Sequence, residues 1–169
     1  VTAITVANTD WAIISDIKDA LTNATISDVA VFKTVTATTS APQFEQAQYK
    51  GTYPIACVRF VGTNEGEMPD DERWGAVRVE LYIATKADPA VDESARVQEA
   101  LRLVNAAKNA VEADPPDDAT YWGPDGDWQN ELTWDSPELE TSEPWITATV
   151  PLAVGYAPVS YTHLRAHET

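Results

Sequence analysis

The chain has 169 residues, with 27 Asp and Glu against 11 Lys and Arg and a formal net charge of −16. So acidic a protein lacks the clustered cations that non-specific phosphate binding needs, which argues against nucleic acid as a partner. No apolar run reaches the roughly 18 residues that a membrane-spanning helix requires, and a single cysteine excludes an internal disulfide framework and a cysteine zinc site.

In chain order, Thr9 or Asp10 can cap a first helix running to about Asn23. Its apolar side is expected to be Trp11, Ile14, Ile17, Ala20, Leu21 and Ala24. Residues 28–38, rich in Val and Thr, read as one strand. Residues 41–51 read as a loop or short helix. A second strand is expected over 53–62 (YPIACVRFVG), with Ile55, Cys57 and Arg59 on one face and Ala56, Val58 and Phe60 on the other. Cys57 is expected to be a small buried hydrophobe there, and Arg59 to pair with a carboxylate. The acidic stretch 63–72 reads as a solvated hairpin loop.

The centre of the chain is 73–113. Its first part alternates, with Val77, Val79, Leu81 and Ile83 against Arg78, Glu80, Tyr82 and Ala84, as in a strand with one buried face. Its second part repeats at helical spacing, with Val97, Ala100, Leu101, Val104, Ala107, Lys108 and Val111 as the expected stripe. Asp92 and Glu93 favour the helix N-terminus, and Pro115 and Pro116 stop it by Asp114.

Residues 114–143 hold ten acids, no Lys or Arg, and Trp122, Trp128 and Trp134. A disordered linker would lack such aromatics. The expectation is an irregular insertion with a short strand near 132–134. The three tryptophans can be core plugs over one end of the sheet or anchors for a neighbouring subunit. Residues 145–156 (WITATVPLAVGY) alternate as a last strand, and Pro151 within it implies an edge strand or a bulge, because proline cannot donate to a ladder.

The last eleven residues, 159–169, resemble an in-frame translation of a transposase sequencing adaptor, and 158–169 are set apart as an artefactual tail. Both histidines, His163 and His167, fall there. Val1 fits a literal reading of a GTG start codon or a truncation. The expectation is a single α+β domain over 1–157, with one antiparallel or mixed sheet of four to five strands and two helices packed on it. No secretion signal is visible, so a soluble intracellular protein is expected.

Without a histidine in 1–157, neither a Ser-His-Asp nor a Cys-His arrangement can be built. No phosphate loop or dinucleotide turn is present. Asp117-Asp118 and Asp125-Gly126-Asp127 offer oxygen ligands, but their spacing misses the twelve-residue calcium loop. No catalytic, cofactor-binding or metal-binding residue is therefore assigned, and the protein is not expected to be an enzyme. A small acidic metal-binding module or a two-carboxylate hydrolase stands as an alternative of another class.

The layout resembles the tail terminator (tail-completion, minor tail protein U-like) proteins of long-tailed bacteriophages. The matching features are the helix bearing Trp11, Ile14, Ile17 and Leu21, the strands YPIACVRFVG and AVRVELYIAT, and the D-x-x-x-R-V-x-x-A-L helix at 92–101. A tryptophan-bearing loop and the closing strand PWITATVPLAVGYA complete the match. The resemblance spans 10–156 and is one of pattern. It implies a non-enzymatic subunit of a ring, typically a hexamer, that caps the finished tail tube and joins it to the head. The implied partners are other copies of itself, the major tail protein and a head-completion protein. The implied location is the virion tail, after assembly in the host cytoplasm. No cofactor is implied beyond a non-specific effect of divalent cations on assembly. Trp122, Trp128 and Trp134 are the candidate subunit-interface residues. Another head–tail connector or a tube-like subunit is the alternative within the same class.

Overall fold

A computed structural model describes residues 9–44, 53–67, 73–86, 92–116, 129–142 and 145–157. Helix α1 (Thr9–Thr22) is followed by a small hairpin, β1 (Thr25–Ile26) and β2 (Val29–Ala30). Strands β3 (Thr34–Thr38), β4 (Ile55–Glu67) and β5 (Arg73–Lys86) come next, then helix α2 (Glu93–Ala113). Strands β6 (Gln129–Trp134), β7 (Glu138–Ser142) and β8 (Trp145–Ala157) complete the described elements.

The α+β class is as expected, but the strand count is not. The main sheet has six strands in the order β3-β4-β5-β8-β6, with β7 also on β8, and the β1–β2 hairpin forms a separate sheet. The expected strand over 28–38 is split. Ser27 and Asp28 have φ of 51° and 66°, the left-handed conformations that a two-residue hairpin turn requires. The sheet is mixed because β3 pairs with β4 in parallel while every other pairing is antiparallel. The stretch expected as a loop over 63–72 is partly ladder, since the β4–β5 register runs on to Glu67↔Arg73.

Both helices lie on one face of the sheet. There Ile13, Ile17 and Leu21 of α1 and Leu103, Val104 and Val111 of α2 meet Ala56, Val58, Val77, Val79, Leu81, Ile83, Ala148, Val150, Leu152 and Val154. The alternation of β5 and β8 therefore sorts apolar side chains as expected. The expected stripes are buried at Ile14, Ile17, Ala20, Leu21 and Ala24 and at Ala100, Val104, Ala107 and Val111; their margins need correction. Trp11 is 52% exposed while Ile13 is fully buried, and in α2 Leu103 takes the buried position while Val97 and Leu101 are exposed. Each helix is held between the sheet and the other helix, and its buried arc takes in one further position, Ile13 in α1 and Leu103 in α2. Asp92 caps α2, accepting a 2.8 Å hydrogen bond from Ala95 N, and Asp114 ends it.

Strand β8 is not an edge. It lies between β5 and the pair β6 and β7, which follow one another along its other side. Pro151 is tolerated in this interior strand because the neighbouring chain steps out of register at residues 135–137. Pro151 O accepts from Asp135 N at 3.0 Å, so the proline's missing donor faces the interruption between β6 and β7. The expected irregular insertion thus contributes two strands.

Leu81 is fully buried in the central strand. Leu81→Ala is expected to lower the unfolding free energy by about 2–5 kcal/mol, read as a shift of the urea midpoint with an unchanged slope.

Candidate functional site

The face of the sheet away from the helices is only partly covered. At one end, Tyr53 and Phe44 pack on Ile55, Cys57, Tyr82 and Ala84, with Trp145 against the cluster. Tyr53 donates to Phe44 O at 2.7 Å and stacks on Trp145 with ring centroids 4.3 Å apart. Lys86 Nζ lies 4.7 Å from the Trp145 ring centroid, a cation–π contact that places a charge at the rim of this cluster. Cys57 is buried as expected. It shares a 3.4 Å hydrogen bond with Thr36, and burial pushes its thiol above the usual range.

Beyond this cluster the same face is polar. Arg59 on β4 opposes Glu80 on β5, and the two approach to 3.9 Å, the carboxylate pairing expected for Arg59. Between them stands Tyr82, which accepts from Arg59 Nη1 at 3.2 Å and donates to Glu80. Burial, and after it the hydrogen bond to Glu80, raises the Tyr82 phenol pKa, while Arg59 opposes the shift. The Arg59 guanidinium is itself held more firmly protonated, chiefly by its hydrogen bond to Tyr82. Next along the ladder, a bulge between Phe60 and Gly62 adds one residue to β4, so that Gly62 opposes Arg78. A Cβ at Gly62 would lie 3.0 Å from Arg78 Nη2. The glycine is what lets this guanidinium lie across β4. Arg78 is exposed and has no ion-pair partner among the described residues.

The outer strand of this face is acidic. Glu138 and Glu140 of β7 are exposed and oppose Thr149 and Thr147. Those threonines alternate with the buried Ile146, Ala148 and Val150, which places both carboxylates on the helix-free face. The opposite edge, β3, carries no charge over TVTAT.

Of the three tryptophans singled out, Trp122 and Trp128 lie outside the described residues. Trp134 is half-buried, packs against the main core and has Lys108 Nζ 5.6 Å from its ring centroid. The two Asp clusters considered for calcium, and the tail 158–169, also lie outside the described residues. Among the described residues no group of three His, Cys, Asp or Glu side chains is placed to hold a metal ion, and no helix is long and apolar enough to cross a membrane. Between the C-terminal end of α1 and α2 there is an open cleft of about 590 Å³, lined by Asn23, Arg102, Asn105 and Asn109 among small apolar residues. Its one described cation, Arg102, is paired with Glu99 at 2.7 Å.

Sequence reasoning assigned Arg59 a partner but passed over Arg78, Tyr82, Glu138 and Glu140. The signal for the first two was the polar half of the β5 alternation; nothing local marked β7. Compared with known proteins, the chain matches no family model and no curated protein.

Tyr82→Phe is expected to cost about 1 kcal/mol at neutral pH, since it removes both hydrogen bonds. A folded-state pKa raised above the unfolded value favours the native protein while the phenol is protonated. The tyrosine's contribution is therefore complete below about pH 10 and is lost as pH rises through the folded pKa. Stability curves of the parent and Tyr82→Phe proteins should converge above about pH 10.

Proposed function

We propose that this chain is a structural subunit of a long-tailed bacteriophage, a tail terminator that assembles into a ring, typically of six copies, on the end of the tail tube. The observation that carries the reading is a sheet with two dissimilar edges, neither of which has a strand partner among the described residues. The edge at β3 is uncharged and the edge at β7 is acidic. A closed ring is built from unlike surfaces meeting head to tail, and a subunit with two different edges suits that arrangement. The order of elements supports the reading as well: an amphipathic helix, paired long strands, a capped helix and a closing strand beside the central one.

In this role the protein does no chemistry. It stops tube growth by occupying the tube end, and it presents a surface to a head-completion protein on the far side. Its partners are further copies of itself, the major tail protein and that head protein. It works in the virion tail, after assembly in the host cytoplasm.

The net charge of −16 gives the ring an electrostatic condition. Copies of so acidic a subunit repel one another over about 10 Å at 0.1 M salt and farther at lower ionic strength. Light scattering coupled to size exclusion should therefore show a discrete oligomer near six subunits that strengthens as salt or magnesium is added. Assembly that weakens as salt rises would contradict the account.

A further inference from the structure

We infer that the helix-free face around Arg78 and Arg59 is the socket for a second copy of this chain, which enters with the acidic β7 edge, Glu138 and Glu140. This inference rests on the ring reading and names the contact that would build it.

The charge distribution is the first argument. Among the described residues, β4 and β5 place Arg59, Arg78 and Lys86 on this face with Glu80 as their described carboxylate. Lys86 is engaged by aromatic rings and Arg59 by Tyr82 and Glu80. Arg78 is exposed and has neither an ion-pair partner nor an aromatic ring beside it among the described residues. In a protein of net charge −16, an exposed guanidinium with no ion-pair partner among the described residues is a selective point for an acidic surface.

The second argument is preorganisation. The bulge before Gly62 brings a residue without a side chain opposite Arg78, and the guanidinium lies over that backbone. An alanine there would push it aside. Where the guanidinium rests against the Gly62 backbone, part of its rotamer freedom is already lost, so less is lost on docking. The Tyr82 bridge fixes Arg59 two strand positions away in the same manner.

The third argument identifies the occupant. Glu138 and Glu140 are two residues apart on one side of a strand, both exposed, and neither forms an ion pair among the described residues. They sit at the sheet margin, whereas the arginines sit in its interior, so one subunit's margin can meet the next subunit's face. Such a contact joins unlike surfaces and, made once between two copies, leaves one free socket and one free edge from which a closed or open chain of subunits can grow.

Charge reversal at constant ionic strength and linkage by disulfide test the proposal together. Arg78→Glu should raise the concentration needed for half-assembly about tenfold or more, and adding Glu138→Lys and Glu140→Lys to it should recover most of that loss. All three sites are exposed, so native circular dichroism is expected for each variant. In parallel, Arg78→Cys and Glu140→Cys proteins are mixed under mild oxidation. A disulfide that forms in the mixture and in neither protein alone is expected. A disulfide in Arg78→Cys alone would mean like faces meeting and would overturn the proposal. Absence of any disulfide, with Arg78→Glu assembling normally, would overturn it too; a discrete six-fold oligomer persisting in that case would leave the ring reading standing. A mixed disulfide with open-ended polymers would uphold the socket and sink the ring.

Discussion

Strand β5 is hydrogen-bonded along both edges, to β4 from Arg73 to Ala84 and to β8 from Gly75 to Lys86. These two ladders fix which side chains face the helices. A slip of one residue would turn Val77, Val79, Leu81 and Ile83 to the polar face and carry Arg78, Glu80 and Tyr82 into the core. The apolar cost of that exchange holds the register, and with the register held, α1 and α2 have one surface on which to pack. The long strands on either side inherit their own sorting from it, since Ala56 and Val58 on β4 and Ala148, Val150, Leu152 and Val154 on β8 share the buried face.

The two faces of the sheet then differ sharply in what they carry. The helix side is apolar throughout its centre. The opposite side has a small aromatic plug at one end and a hydrogen-bonded polar row beyond it. Threonines at positions 34, 36, 38, 147 and 149 fill much of the remaining area. Threonine suits a pleated surface by its branching and keeps that surface wettable by its hydroxyl. A face of this composition can stay in contact with water.

Much of this was legible in the chain. The period-two pattern of β8 and of the first half of β5 is clear because each is buried on one side there, and Asp92 announces the start of α2 by its position before a periodic run. What escaped has identifiable causes. Strand β7, ELETS, has one apolar residue and two carboxylates; it is a strand because β8 offers it a free ladder, a tertiary fact without local signature. Pro151 argued for an edge by a sound rule, yet the interruption at 135–137 meets the rule from the partner's side. Trp11 and Leu101 fall on the expected stripes by helical spacing, whereas the packing of two helices side by side buries Ile13 and Leu103. Of the candidate surface, Arg59 could be marked from its apolar setting, but the approach of Arg78 to Gly62 depends on a bulge that no spacing reveals.

The break between β6 and β7 also governs what the margin of this sheet can become at high concentration. A strand added from outside would find six residues of β6, a jog, and five residues of β7, with Glu138 and Glu140 projecting beside the shorter piece. Any backbone ladder templated on β7 is limited to that five-residue length, and a growing stack of such strands would bring like carboxylates together at each step. The proline within β8 thus belongs to a margin that discourages fibrous growth.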